Sequence, residues 1–322
     1  MIIPSGTRFS TLSLLTLALA STLPSRATVV TLNASDAAST TSFNAAGHWD
    51  NSTAPGAGNT YFTSNFLLRT PASSGYTGTF GGDSLTVNNT NGTTGGLIVK
   101  SNGTSNITIN NLIIDGGSIR DGNGSSDTIN LLGAITITSN GGLLTMQEAW
   151  NIQSGISGAG NLTVADPGLQ LTFSGANTST GSLIFNTANS KFTLASGGSM
   201  SFSIGANLVN NAVKTSGSGA GTATFNGTFN FDLTGADTTL GNSWTIVGSG
   251  LTKSFSGTFA VNGFTETNNV WTSTDGVFQF SEATGVLSVV SAIPEPAGYG
   301  IAASLALFTV AAVARRRREA TA

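Results

Sequence analysis

Leu162-Thr163-Val164, Leu171-Thr172-Phe173, Leu183-Ile184-Phe185 and Phe192-Thr193-Leu194 decide the fold of this 322-residue chain. Each run sets two bulky apolar residues two positions apart, which in an extended backbone places them on one face. Gly, Asn and Ser clusters lie between the runs and supply tight turns with positive φ. Working outward, the pattern continues upstream in Ile107-Thr108-Ile109, Ile129-Asn130-Leu131 and Ile135-Thr136-Ile137, and downstream in Phe202-Ser203-Ile204. The runs recur about every 9 to 12 residues, the spacing of all-β proteins, and no stretch of the body sustains a helical period. A sandwich and a solenoid both fit. Runs with so few apolar residues bury little alone, whereas stacked rungs bury a continuous core. The step from Ile107 and Ile109 to Ile129 and Leu131 suits a rung of roughly two dozen residues. The expected fold is therefore all-β, with a sandwich and a stacked parallel β-helix both open on these residues.

Composition divides the chain. Residues 97–215 hold the short alternating runs of the body, and Ser216-Gly217-Ser218-Gly219-Ala220-Gly221 reads as a joint. Residues 222–290 are more aromatic, with Phe225, Phe229, Phe231 and Leu233 alternating with polar residues, and are expected to cap the open end of the stack. Residues 28–96, with His48-Trp49-Asp50 and Pro55-Gly56, are expected to form an irregular N-terminal cap. The segment Gly168–Gly181 resembles the autotransporter-associated β-strand repeat: Phe173-Ser174-Gly175-Ala176-Asn177-Thr178 and Thr180-Gly181 fit its pattern, while Ser179 stands where that repeat usually has Tyr. Ile156-Ser157-Gly158-Ala159-Gly160-Asn161-Leu162-Thr163 resembles its lead-in. The resemblance covers one copy. It favours the solenoid over the sandwich, so the expected fold is a right-handed parallel β-helix body with a β-rich C-terminal cap, and it implies a passenger-like surface structure and no particular chemistry.

The two ends read as processing devices. Arg8 supplies a weakly basic start, Leu12, Leu14, Leu15, Leu17, Ala18, Leu19 and Ala20 form an apolar stretch, and Ser25-Arg26-Ala27 offers a small-residue cleavage site. Residues 1–27 are therefore expected to be a signal peptide cut by signal peptidase after Ala27, with Ala20 as the rival position. At the other end, residues 293–318 run Ile293-Pro294-Glu295-Pro296, then an uncharged apolar stretch 297–314, then Arg315, Arg316, Arg317 and Arg318. As a helix the stretch is about 27 Å long, enough for one transmembrane helix. The arginines stop it and hold that end in the cytoplasm, placing the body on the outer side. Motif, span and basic stop in this order resemble a PEP-CTERM sorting signal, with Ile293 where valine is usual. Pro294, Glu295 and Pro296 match the motif that an exosortase reads. The resemblance implies a Gram-negative bacterium with exopolysaccharide machinery, and removal of the span after sorting. A simple permanent anchor is the alternative.

Removing both ends leaves residues 28–296, where Arg69, Lys100, Arg120, Lys191, Lys214 and Lys253 face fourteen acids, a net charge of −8. No basic patch can displace counterions from phosphates, so nucleic acid is not an expected partner. Charged residues make up 8% of the chain, far below the usual quarter, and solubility must come from Ser, Thr, Asn and Gly. Cysteine is absent, which removes thiolate catalysis, thiolate metal sites and disulfides.

Chemistry-bearing residues are sparse. His48 is the sole histidine, so any Ser-His-Asp triad has to use it and multi-histidine metal sites are excluded. Asp121, Asn123 and Asp127 place oxygens at spacings like the start of a calcium loop, but the distal Glu of such a loop is missing; Asx turns explain them as well. Asp115, Arg120 and Asp121 are the one grouping that suggests acid–base work on polysaccharide, in the manner of a β-helix lyase or hydrolase. Trp150, Trp244 and Trp271 are expected to pack in core or cap, with sugar stacking as the alternative. No cofactor and no catalytic set is expected. The functional expectation is an exported structural or adhesive protein, transiently held in the inner membrane, then at the cell surface or in a matrix of extracellular polysaccharide.

Overall fold

The computed structural model describes residues 27–291 apart from 89–95, 101, 123–126, 167 and 218–219. The expected signal peptide up to Arg26, the joint residues Ser218 and Gly219, Asn123, Pro294, Glu295, Pro296, the apolar stretch 297–314 and Arg315–Arg318 lie outside them. Among the described residues the structure is all strand and turn, with no helix long and apolar enough to cross a membrane.

Two parallel sheets, one of sixteen strands and one of seven, curl into a half-barrel around one shared core, a form consistent with a β-helix-like body. Two long strands, Ser105–Ile114 and Thr128–Ile137, organise them. The first half of Thr128–Ile137 begins a row that continues through Ala149–Ile152, Gln170–Phe173, Ser190–Leu194, Gly221–Phe225 and Leu251–Phe255. Its second half begins another row, through Gly155–Gly158, Ala176–Asn177, Ser199–Ser203, Thr228–Asp232 and Ala260–Val261. The third row is the seven-stranded sheet, from Leu67–Arg69 to Val213–Thr215.

Register explains why such short runs suffice. Ile129, Trp150, Leu171 and Phe192 stand over one another at steps of 21 residues. Leu131, Ile152, Phe173, Leu194, Phe225 and Phe255 form the neighbouring ladder. Rings interleave along it: Phe192 lies 5.2 Å from Phe173, 5.9 Å from Phe185 and 6.0 Å from Phe225. Each fully buried phenylalanine contributes about 1.5–3 kcal/mol of transfer free energy. The strand pairing sets Ile107 over Leu131 rather than Ile129, a step of 24 residues, because Ser105 takes the place over Ile129. The voids found along this core are about 10 Å³ each, so side chains fill it.

The outward positions replace charge with amides. Asn106, Asn130 and Asn151 stack in register; Asn130 Nδ2 donates to Asn106 Oδ1 at 3.0 Å and Asn151 Nδ2 to Asn130 Oδ1 at 3.1 Å. Glycine turns the corners where backbones touch. At Gly133, φ is +106° and a Cβ would stand 1.9 Å from the Ile109 carbonyl oxygen, so no other residue fits that bend.

The parallel rows run beyond 97–215 at both ends. Strands Thr28–Thr31, Asn59–Phe62 and Ser84–Val87, from the segment expected to be irregular, already belong to the sixteen-stranded sheet. Downstream, the rows continue to Val261, inside the segment expected to be the cap. The steps there lengthen: Phe192 to Ala223 takes 31 residues and Ala223 to Lys253 takes 30. A five-stranded antiparallel sheet follows, ordered Ser243–Thr245, Val286–Val289, Phe278–Ser281, Val270–Ser273, Phe264–Thr267. Its Phe280 ring meets Phe229, Phe231, Phe255 and Phe259, which closes the apolar end of the stack.

Candidate functional site

The residues singled out from sequence are mostly engaged in holding turns. Asp115 follows strand Ser105–Ile114, where its Oδ1 accepts Thr138 Oγ1 at 2.5 Å and Asn140 Nδ2 at 2.7 Å. Strand Ser118–Asp121 alternates: Ile119 and Asp121 are buried, and Arg120 points to the other face. Arg120 and Asp121 therefore do not converge, and Asp115 sits beyond the opposite end of that strand. Asp121 is turned into the core, 2% exposed, and accepts the main-chain N–H groups of Gln147 and Glu148, each at 2.8 Å, and Trp150 Nε1 at 3.0 Å. Burial pushes its carboxyl above the ordinary carboxylate range, against the pull of those same bonds. Its oxygens bind protein N–H groups, the opposite of an open cation ligand. Asp127 accepts Gly103 N–H at 2.6 Å. Among the described residues no group of three or more His, Cys, Asp or Glu side chains is placed to hold a metal ion.

His48 serves the N-terminal turns through its main chain: its N–H donates to Ser42 Oγ at 2.9 Å and its carbonyl accepts Asn33 N–H. Trp150 and Trp244 are buried, at 1% and 0% exposure, and are core residues. Trp271 is different. It is half-buried on strand Val270–Ser273, across from Glu266 on Phe264–Thr267 and Phe280 on Phe278–Ser281.

These pairings build an open groove of about 280 Å³ between the antiparallel sheet and the last turn of the stack, lined by Phe255, Phe259, Trp271, Glu266, Asn269 and Glu282. Asn268 and Asn269, with φ of 55° and 63°, make the two-residue hairpin that sets Glu266 against Trp271. Glu266 Oε1 accepts Asn269 N–H at 2.6 Å, and Glu282 Oε1 accepts Trp271 Nε1 at 2.7 Å. Phe259 meets the indole edge-on at 5.5 Å. The indole is thus fixed by an aromatic neighbour and a carboxylate. An aromatic wall with carboxylate and amide acceptors beside it suits a sugar, whose apolar ring face stacks while its hydroxyls donate. Trp271 was singled out from sequence, but Phe259, Glu266 and Glu282 were not. The readable signal was the Asn268-Asn269 pair between alternating residues, which marks the hairpin.

Neither protein-family models, nor curated proteins, nor solved structures give a match to this chain.

Proposed function

We propose that this chain is an exported, exosortase-sorted protein of the cell surface or extracellular matrix, with a structural or adhesive role linked to exopolysaccharide. In this reading the stack is a right-handed parallel β-helix, closed by a β-rich C-terminal cap and delivered by a single transmembrane helix that is later removed. The observation that carries the proposal is the order of the tail: Pro294-Glu295-Pro296, an uncharged run, then four arginines. Three features support it. The first strand, Thr28–Thr31, opens directly after the expected cleavage point at Ala27, and Thr28 N–H already donates to Gly58 O at 3.0 Å. An amide ladder, Asn106–Asn130–Asn151, rather than charges lies on an outer face and offers groups that pair with hydroxyls. The groove at Trp271 offers a glycan a place to stack.

Mass spectrometry of the protein from its native host tests the sorting step. The expected mature species starts at Thr28 and lacks Arg315–Arg318; deletion of Pro294–Pro296 leaves the tail in place. An intact arginine peptide on the mature wild-type protein refutes removal of the tail and leaves a permanent anchor. The glycan step is separate: purified protein should be retained on the host's exopolysaccharide, and Trp271→Ala should lose that retention at least tenfold without loss of fold.

A further inference from the structure

We infer that two corner loops at the C-terminal end of the stack form a membrane-facing surface, which rests on the outer leaflet while the apolar run 297–314 spans the bilayer. The inference depends on the anchor reading of the tail. Its observation is independent of the glycan groove and lies in where the chain exposes apolar side chains.

Five large apolar residues stand out in water among the described residues: Val29, Leu208, Val209, Leu240 and Val290. Four belong to one place. Leu208 is 71% exposed, Leu240 62%, Val209 59% and Val290 40%. They are tied together through the backbone. Leu208 N–H donates to Ser243 O at 3.2 Å, and Ser243 N–H returns to Asn207 Oδ1 at 3.0 Å. Gly241 N–H donates to Val289 O at 3.3 Å, and Val289 N–H to Asn242 O at 2.9 Å. Leu208 and Val209, Leu240, and Val290 thus hang on one hydrogen-bonded knot around Asn242 and Ser243.

The loops that carry them are additions to the repeat. In the 21-residue turns the corner between the second and third rows is short: four residues, 138–141, join Thr128–Ile137 to Gly142–Thr145. In the next turn the same corner swells to residues 204–212, between Ser199–Ser203 and Val213–Thr215, and residues 233–242 then lead from Thr228–Asp232 to Ser243–Thr245, the edge strand of the antiparallel sheet. Both insertions present apolar residues. Leu208 is held at φ +68°, in the left-handed region that a branched apolar residue disfavours. Exposure and backbone are both unfavourable in water, and the neighbouring bonds hold them so. Exposed apolar residues gathered in this way mark a binding surface.

The length of chain beyond the patch selects the occupant. Val290 is itself in the patch, and only residues 291–296 separate it from the apolar run. Fully extended, six residues reach about 20 Å. The patch is therefore tethered within that distance of the bilayer as long as the tail is intact, and a lipid surface is its neighbour until the tail is removed. Beside Leu208 lies a hollow of about 310 Å³ lined by Asn210, Lys214 and Thr245. The Lys214 ammonium there suits a phospholipid phosphate. Asp237, at the same corner, is turned back on Thr239, whose N–H and Oγ1 both donate to its Oδ1.

The absence of cysteine makes the test direct. Full-length single-cysteine variants carry a polarity-sensitive fluorophore and are reconstituted in phosphatidylethanolamine–phosphatidylglycerol vesicles, with and without brominated lipid. Leu208→Cys and Leu240→Cys report the patch. Val29→Cys, exposed and seven strand steps away along its row, or about 34 Å, is the remote reference. Ala303→Cys reports the span. At least twofold quenching by brominated lipid is expected at 208, 240 and 303, and none at 29. Quenching at 303 alone overturns the inference and leaves the anchor standing. A blue shift at 208 and 240 without quenching assigns the patch to a second copy or to the tail, and also overturns it. No quenching at any position refutes the anchor and the inference with it.

Discussion

The turns from Thr128 to Leu194 and the turns from Ser199 to Val261 are built on the same rows, yet they are put to different uses. In the first, each step takes 21 residues, corners are cut to a few positions, and backbones meet where only glycine fits. In the second, the steps take 31 and 30 residues, and the additions form the apolar corner loops. The groove at Trp271 lies just beyond, where the closing sheet meets the last turn. Strand pairing tolerates the additions because loop length changes closure entropy slowly, about 0.6 kcal/mol per doubling. The difference is one of construction: the short turns are closed on one another, whereas the long turns carry the exposed apolar residues Leu208, Val209 and Leu240.

The sharpest way to break this contrast is to add side chains at glycines in each region. Gly133→Val has to place its Cβ against the Ile109 carbonyl and hold a β-branched residue at a φ near +106°. A cost of about 4 kcal/mol or more is expected, enough to unfold a marginal protein. Gly257→Val, beside the groove, meets nothing within 4 Å and should leave the melting temperature nearly unchanged. Comparable losses in the two melts would refute the idea that the corner at Gly133 is packed to its limit while the groove rim at Gly257 is open.

Aromatic truncation comes next. Phe192 is 1% exposed and sits among Phe173, Phe185 and Phe225; Phe192→Ala should cost about 3–5 kcal/mol in chemical denaturation. Trp271→Ala removes a half-buried ring and one hydrogen bond, for about 1–2 kcal/mol, while glycan retention falls far more. If Trp271→Ala proves as destabilising as Phe192→Ala, the indole is a core element and the groove loses its standing as a site.

How much of this was legible follows the same division. Alternation in Ile135-Thr136-Ile137 or Phe192-Thr193-Leu194 reports its strand directly, because a two-residue period needs only local sequence. The 21-residue register was hidden. Ile129, Trp150, Leu171 and Phe192 share only apolarity, and the later insertions break the spacing that would reveal it. Asp121 opens a Gly- and Asx-rich stretch that resembles a loop, although the alternation Ile119 in, Arg120 out continues one residue further and turns it inward. The groove was least legible. Trp271 and Glu282 come together through antiparallel pairing, Phe259 belongs to the stack, and no local pattern joins the three.

A smaller test strikes the polar outer face. Asn130→Ala removes the middle of the Asn106–Asn130–Asn151 ladder, leaving the outer two amides without their shared partner. A cost of about 1 kcal/mol is expected in urea titration, since the freed groups are part-exposed and water replaces the bonds. A loss of several kcal/mol would mean that the ladder, not the aromatic interior, governs the short turns.

The gentlest probe is pH, because Asp121, which is bonded to the short turns at Gln147, Glu148 and Trp150, and the carboxylates in and beyond the long turns shift in opposite directions. Burial raises Asp121 above the ordinary carboxylate range, whereas hydrogen bonds from Thr234, Thr239 and Ser273 lower Asp232, Asp237 and Asp275 in and beyond the long turns. In the unfolded chain each titrates at about 3.9. The folded state therefore keeps a proton on Asp121 over a window above that value, while the other three release theirs earlier than in the unfolded chain. The contribution of Asp121 is complete below the unfolded value and fades as pH climbs through its folded one; the contribution of the other three is present above the unfolded value and is lost on acidification. Total stability mixes the two, so the informative quantity is a difference. Asp121→Asn abolishes only the buried titration. Between neutral pH and about pH 4 the stability of the wild type relative to this variant should rise. A relative stability that falls on acidification would place Asp121 with the lowered group, and the short turns would then hold their carboxylate as an ordinary charged cap.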